Sequence, residues 1–264
     1  MSRVILKHHQ QTIDNLAGHF KGQADIRAVI VGGSVAHGFA TKDSDLDIFL
    51  LISEKGYQER FEKGELTYWN DSLTSYDGYV DGKYITVDFL KKVAEKGSEP
   101  ARFAFKDAFV VFSRMNRLEV LLKSASRYPV EEKEDKIEKF CAQFEAWKWF
   151  AEEARKKNNL YLLTRATASF TLFAGRLILT HNEMLYPYHK WFLRVLGQAP
   201  DKPEGLLEQI ERVLKKKGKA DIEDLYNMIG EFADWGFNSS DWPNRFMHDS
   251  ELTWMDGKIP VDDL

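Results

Sequence analysis

Residues 31–49 read V-G-G-S-V-A-H-G-F-A-T-K-D-S-D-L-D-I-F, and the interpretation of the chain begins with this stretch. The β-branched run over residues 26–31 ends at Gly32-Gly33, which is typical of a buried strand that meets a turn. A second apolar run follows over residues 46–52 and predicts a second strand. The stretch therefore combines a strand, a glycine turn and a second strand that begins beside two aspartates.

The two aspartates, Asp45 and Asp47, are separated by one residue. Side chains two positions apart on a strand point to the same face. Two carboxylates on one face repel each other unless a cation lies between them. Oxygen ligands are those that Mg²⁺ prefers. The pattern therefore predicts a metal site on the second strand.

The glycine turn that precedes the aspartates has the residue types of a phosphate-binding turn. Gly33 lets the backbone approach a ligand closely, and a helix that begins at Ser34 would present free N–H groups and a hydroxyl to an anion. The turn and the carboxylates together could hold a triphosphate and its metal ions. The alternative is an ordinary strand-turn-strand unit with solvent-facing aspartates.

A third carboxylate is expected from a hairpin. The segment Y-V-D-G-K-Y over residues 79–84 predicts a two-residue Asp-Gly turn, with a returning strand over residues 83–90. Asp88 would then lie on the face opposite the apolar residues of that strand and complete the metal site. Three other aspartates are alternatives to Asp88: Asp77, Asp81 and Asp107.

This pattern resembles the nucleotidyltransferase superfamily that includes DNA polymerase β and the antibiotic nucleotidyltransferases. The family motif is Gly-Ser, a further glycine, then (Ser/Thr)-Asp-x-Asp, with a later carboxylate on a neighbouring strand. The resemblance implies that two Mg²⁺ ions bind to Asp45, Asp47 and Asp88. The residues that it assigns to the nucleotide are Gly33, Ser34, Gly38 and Ser44.

The activity that the resemblance implies is transfer of a nucleoside monophosphate from an NTP, with AMP from ATP as the first expectation. The acceptor would be a hydroxyl of a small molecule, for example an aminoglycoside- or lincosamide-like compound, which would make antibiotic resistance one biological role. Two alternatives remain open. The acceptor could be a protein or an RNA end, as in toxin–antitoxin nucleotidyltransferases, or the protein could bind nucleotides without turnover.

The composition changes near residue 128, and the sequence beyond it is almost entirely helical in pattern. The predicted fold class is α/β (α+β), with a mixed-sheet nucleotidyltransferase domain over residues 1–127. A helical bundle over residues 128–264 would form the acceptor side.

The helical half is similar to the C-terminal domain of kanamycin nucleotidyltransferase and its relatives in the segment F-E-A-W-K-W, residues 144–149. The resemblance implies that Glu145 is the general base, with Asp88 as the alternative for that role, and that Lys148 contacts the triphosphate. The spacing of the pair is i, i+3, whereas the relative has i, i+4. An exposed Glu/Lys pair beside the buried helix face is the alternative interpretation.

Two further features of the helical half have both a functional and a structural interpretation. Arg176 and His181 match the R-x4-H element of HEPN ribonucleases, but a core arginine and a helix-terminal histidine explain them as well. From residue 231 onward the chain is acidic and aromatic. This segment could bind a cationic or sugar-like acceptor, or its rings could pack on the bundle.

The 264-residue chain has a net charge of -4 and a pI near 6.0, which does not indicate general nucleic-acid binding. Cys141 is the only cysteine, so no internal disulfide can form. No uninterrupted apolar run approaches the ~20 residues of a membrane span, and the N-terminus lacks the core of a signal peptide. We expect a cytoplasmic protein without membrane contact, and a homodimer remains an open alternative.

Overall fold

The computed structural model describes residues 4–257. The chain divides into two compact units, Met1–Tyr128 and Pro129–Leu264. The first contains a β-sheet with helices and the second is mainly helical. The predicted fold class is confirmed.

The elements of the N-terminal unit follow one another as α1 (Lys7–Lys21), β1 (Ala28–Val31), α2 (Gly33–Ala36), β2 (Leu46–Leu51), α3 (Glu54–Lys63), β3 (Thr67–Asn70), β4 (Val80–Ile85), α4 (Val87–Lys96), α5 (Glu99–Phe103), β5 (Phe109–Ser113) and α6 (Leu118–Ala125). The five strands form one sheet in the order β3-β4-β2-β1-β5. Strands β2 and β4 are parallel and the other neighbours are antiparallel, so the sheet is mixed.

The two faces of the sheet are covered by different helices, because successive side chains of a strand point in opposite directions. Leu46, Ile48 and Leu50 of β2 share one buried cluster with Leu16 and Phe20 of α1. On the other face, Leu51 and Ile30 share a second cluster with Leu90 of α4 and Leu122 of α6. Asp47 lies on this second face.

The predicted hairpin over residues 79–84 is wrong. Asp81 and Gly82 lie inside β4, and the long connection from β3 ends before them. A Cβ atom on Gly82 would lie 2.9 Å from Cγ1 of Ile48 and 3.1 Å from Cβ of Tyr68. This glycine is needed for close packing between strands rather than for a turn.

The predicted strand over residues 83–90 is also wrong beyond Ile85. The hydroxyl of Thr86 accepts a hydrogen bond from the backbone N–H of Phe89 at 3.1 Å and caps α4. Because Leu90 and Val93 form the buried side of this helix, the apolar residues have helical spacing here rather than the period of a strand.

The C-terminal unit contains α7 (Lys133–Lys156), α8 (Leu160–His181), α9 (Phe192–Gly197), α10 (Leu206–Lys216), α11 (Lys219–Phe232) and α12 (Trp242–Phe246). Its two longest helices pack side by side, with the rings of Phe144 and Phe170 stacked at a centroid distance of 4.4 Å. Helix α8 is long and apolar enough to cross a membrane by length and composition, yet 56% of its most apolar window is buried within the unit. A core helix of a bundle has the same features, so this is weak evidence for a membrane span.

Candidate active site

Three carboxylates converge on one face of the sheet. Ligand oxygens of Asp45, Asp47 and Asp81 all lie within 4.8 Å of one another, and all three residues are half-buried. Asp47 lies opposite Asp81 in the parallel ladder between β2 and β4. An all-oxygen set of this kind fits a divalent cation such as Mg²⁺.

Asp88 is not part of this cluster, and its predicted position on a strand is wrong. It lies in the first turn of α4, is exposed, and its Oδ2 is 2.8 Å from Nζ of Lys92. Asp81 is one of the three predicted alternatives to Asp88, and its Asp-Gly pair predicted a turn. The alternation of apolar and polar residues in V-D-G-K-Y-I, residues 80–85, was the signal for a strand.

The glycine turn lies directly against the carboxylates. Gly33 has a φ of +58°, and a Cβ atom at this position would overlap the carboxylate of Asp47. The N–H of Gly32 donates to the carbonyl of Asp47 at 3.0 Å. The turn can therefore approach the carboxylate cluster only because residue 33 is glycine.

Ser34 carries a buried hydroxyl that is available to hydrogen-bond a ligand. Its side chain is buried, and its hydroxyl has no hydrogen-bond partner among the described residues. Leaving such a group unpaired costs about 1–3 kcal/mol. A phosphate oxygen would provide the missing partner. Gly38, four residues later, has a φ of +70° and ends the turn.

Ser44 shapes the segment before Asp45. Its hydroxyl accepts a hydrogen bond from the backbone N–H of Thr41 at 2.9 Å. Its carbonyl oxygen accepts from Nε2 of His9 at 2.9 Å and from the hydroxyl of Tyr76 at 2.8 Å. The predicted contact of Ser44 with the nucleotide stays a prediction.

His9 and Tyr76 were not among the predicted site residues. His9 is fully buried, and burial lowers the pKa of its imidazole, which favours the neutral ring that donates through Nε2. The fold brings both residues into contact with Ser44, which directly precedes Asp45. Their separation in the sequence from Ser44 gives no local signal.

Glu145 and Lys148 lie in the helical unit, and both contact Tyr226. The hydroxyl of Tyr226 donates to Oε1 of Glu145 at 2.7 Å, and burial raises the pKa of the Glu145 carboxyl. Nζ of Lys148 lies 4.2 Å from the centre of the Tyr226 ring and 3.4 Å from Oε2 of Glu223. Glu145 also lines a cavity of about 450 Å³ in this unit. The roles predicted for Glu145 and Lys148 stay predictions.

The R-x4-H element has structural contacts. The guanidinium of Arg176 lies between the rings of Phe140 and Tyr186, at 4.3 and 4.4 Å from their centres. Nε2 of His181 is 2.8 Å from Oδ2 of Asp201. These contacts favour the interpretation of both residues as parts of the bundle.

Three aromatic residues of the acidic C-terminal segment, Trp235, Trp242 and Phe246, pack on the bundle, whereas Trp254 is 59% exposed. The ring of Phe246 is buried and lies 5.9 Å from that of Phe150, and Trp242 lies 6.3 Å from Trp149. Nε1 of Trp235 donates to the carbonyl of Ile229 at 2.9 Å. The packing interpretation therefore accounts for these rings.

Comparison with known proteins identifies the class of the N-terminal unit. Residues 13–104 match the family model of the nucleotidyltransferase domain, and this segment contains the glycine turn and all three clustered aspartates. The chain thus carries a nucleotidyltransferase domain of the superfamily that the motif predicts.

Among solved structures, the chain is similar to a nucleotidyltransferase-like protein from Exiguobacterium sibiricum 255-15, with a TM-score of 0.47 and 9% sequence identity. The alignment covers 97% of this chain and 83% of that protein. No curated protein matches the chain.

Proposed function

We propose that this protein transfers a nucleoside monophosphate from an NTP, with ATP as the first candidate, to a hydroxyl of a small molecule. The observation that carries the proposal is the convergence of Asp45, Asp47 and Asp81 beside the Gly33-Ser34 turn. A triphosphate needs cations and hydrogen-bond donors, and this site offers residues for both.

The three aspartates would hold two Mg²⁺ ions. Bound Mg²⁺ would neutralise charge on the phosphates and lower the pKa of the attacking hydroxyl. The unpaired hydroxyl of Ser34 and the backbone N–H groups of the turn would donate to phosphate oxygens. Lys83 adds an ammonium group near the site, because it is exposed and lies two residues after Asp81 on the same side of β4.

The reaction exchanges one P–O bond for another. The acceptor oxygen bonds to the α-phosphorus, the bond from that phosphorus to the bridging oxygen breaks, and pyrophosphate leaves with the bond electrons. The acceptor proton passes to a carboxylate. Asp81 is one candidate because it belongs to the cluster. Glu145, to which the sequence resemblance assigns this role, is the other candidate.

The proposal is tested by calorimetry of ATP binding with and without Mg²⁺ and by release of labelled pyrophosphate in the presence of hydroxyl compounds. Asp45→Asn and Asp47→Asn should each abolish both signals while leaving the circular dichroism spectrum unchanged. Unchanged turnover in both variants would contradict the proposal.

The same assay separates the alternatives. Pyrophosphate release with protein or RNA acceptors, but not with small hydroxyl compounds, would indicate that the acceptor is a macromolecule. Tight ATP binding that does not depend on Mg²⁺ and is not followed by pyrophosphate release would indicate a nucleotide-binding protein without turnover.

A further inference from the structure

Two exposed aromatic side chains lie beside the carboxylate cluster and have no part in the function described so far. Trp69 is 61% exposed and Tyr79 is 40% exposed. Their ring centres are 6.0 Å apart and the ring planes differ by 35°. Two large rings left open to solvent next to a polar site form a surface that a ligand could cover.

The strand register fixes the position of Trp69 relative to the cluster. Trp69 lies opposite Asp81 in the antiparallel ladder of β3 and β4, and Asp81 lies opposite Asp47 in the next ladder. Opposite residues of neighbouring strands share a face, and strands are ~4.8 Å apart. Trp69, Asp81 and Asp47 therefore form one row across the sheet.

Tyr79 lies beside the segment that carries Asp45 and Asp47. Its carbonyl oxygen accepts a hydrogen bond from the backbone N–H of Leu46 at 3.0 Å, and Leu46 lies between the two aspartates in the sequence. Tyr79 directly precedes β4, so its ring lies at the end of the strand that carries Asp81. The two rings thus border the metal-binding residues from the β3–β4 side.

The phosphate-binding turn lies on the other side of the cluster. Gly33 and Ser34 follow β1, which is separated from β4 by β2. In phosphoryl transfer the attacking and leaving oxygens lie roughly in line on opposite sides of the phosphorus. If the leaving pyrophosphate rests on the turn, the acceptor approaches from the β3–β4 side.

We propose that Trp69 and Tyr79 form the acceptor-binding surface and stack against the C–H face of a hydroxylated ring, such as a pyranose. This inference rests on the proposed nucleotidyl transfer. The nearby carboxylates of Asp45 and Asp81 disfavour an anionic ligand, whereas the negative faces of aromatic rings attract C–H groups and cations. The ligand class is therefore a neutral or cationic ring compound that carries hydroxyl groups.

The test measures ring binding and nucleotide binding separately. Saturation-transfer NMR without nucleotide uses D-glucosamine and kanamycin as probes, and calorimetry measures Mg²⁺·ATP binding. We expect saturation of the ring C–H protons of at least one probe with the native protein. Trp69→Ala should reduce this signal at least fivefold, and its Mg²⁺·ATP affinity should stay within twofold of the native value. Trp149→Ala, which removes a ring 46% exposed in the helical unit, is the matched control and should change neither.

Tyr79→Phe keeps the ring and should retain the ring-proton signal, whereas Tyr79→Ala should weaken it.

Absence of the signal for both probes with native protein, or an equal signal in Trp69→Ala and Trp149→Ala, would overturn the proposal. A fall in Mg²⁺·ATP affinity in Trp69→Ala would instead assign the rings to the nucleobase. A change in molecular size in that variant would assign them to contact between copies of the chain. If native protein binds the probes but not Mg²⁺·ATP, the proposed function fails and the ring surface remains.

Discussion

Asp47 and Asp81 lie directly opposite each other on the parallel strands β2 and β4. The two residues are 34 positions apart in the sequence, yet their carboxylates belong to one cluster with Asp45. This pairing supplies the third carboxylate of the candidate metal site. Asp88 is close to Asp81 in the sequence but lies outside the cluster, so substitutions of the two residues can be compared directly.

Asp81→Asn should remove Mg²⁺-dependent ATP binding and reduce transfer by more than roughly 100-fold, because even residues that only support a metal ligand are worth 10–100-fold. Asp88→Asn is the matched control. It loses only an exposed i,i+4 ion pair with Lys92, which contributes little to stability, and should keep its activity. Calorimetry and pyrophosphate release measure both. Equal losses in the two variants would argue against Asp81 as the ligand.

Gly33→Ala should be inactive and less stable, because the new Cβ would overlap the Asp47 carboxylate in a backbone conformation with positive φ. Gly38→Ala separates these two causes. Gly38 has a φ of +70° but open space around its Cβ position, so its substitution should cost only the ~1–2 kcal/mol of the left-handed conformation. Thermal unfolding and ATP binding test the difference. Full activity of Gly33→Ala would show that the turn does not need to approach Asp47.

Ser34→Ala should separate stability from ligand binding. Because the buried hydroxyl has no partner among the described residues, its removal should leave the free energy of unfolding unchanged or raise it by about 1 kcal/mol. ATP affinity should fall, because a donor to the phosphates is lost. The measurements are chemical unfolding without ligand and calorimetry with Mg²⁺·ATP. Unaltered ATP affinity would remove Ser34 from the nucleotide site.

Glu145→Gln should change how stability depends on pH. The folded state raises the pKa of Glu145 above its ordinary value of 4.5, so the unfolded chain ionises first as the pH increases. Native protein therefore loses stability from about pH 4.5 up to the folded pKa, by about 1.4 kcal/mol for each unit by which the pKa is raised. Glutamine does not ionise, and its amide oxygen can still accept from Tyr226.

The difference in Tm between Glu145→Gln and native protein should consequently grow as the pH rises through that range and then become constant. Thermal unfolding across the pH series measures it, with Glu152→Gln as a control on the same helix. A constant difference at every pH would show that Glu145 does not titrate with a raised pKa.

The elements whose patterns are local were predicted well. The strands around residues 26–31 and 46–52 occur close to their expected positions. The failure over residues 79–90 has a physical cause. Asp81-Gly82 has the residue types of a turn, but Gly82 is required by close packing against Ile48 and Tyr68. That requirement comes from residues distant in the sequence.

Two features of the site could be predicted without the fold. Asp45 and Asp47 share a face because side chains on a strand alternate with a period of two. The turn before them follows from two consecutive glycines, and the structure adds the positive φ and the close approach at Gly33. The positions of Asp81 in the cluster and of Trp69 beside it became evident from the fold alone. Both depend on which strands pair and in which register, and long-range packing rather than any local pattern fixes that choice.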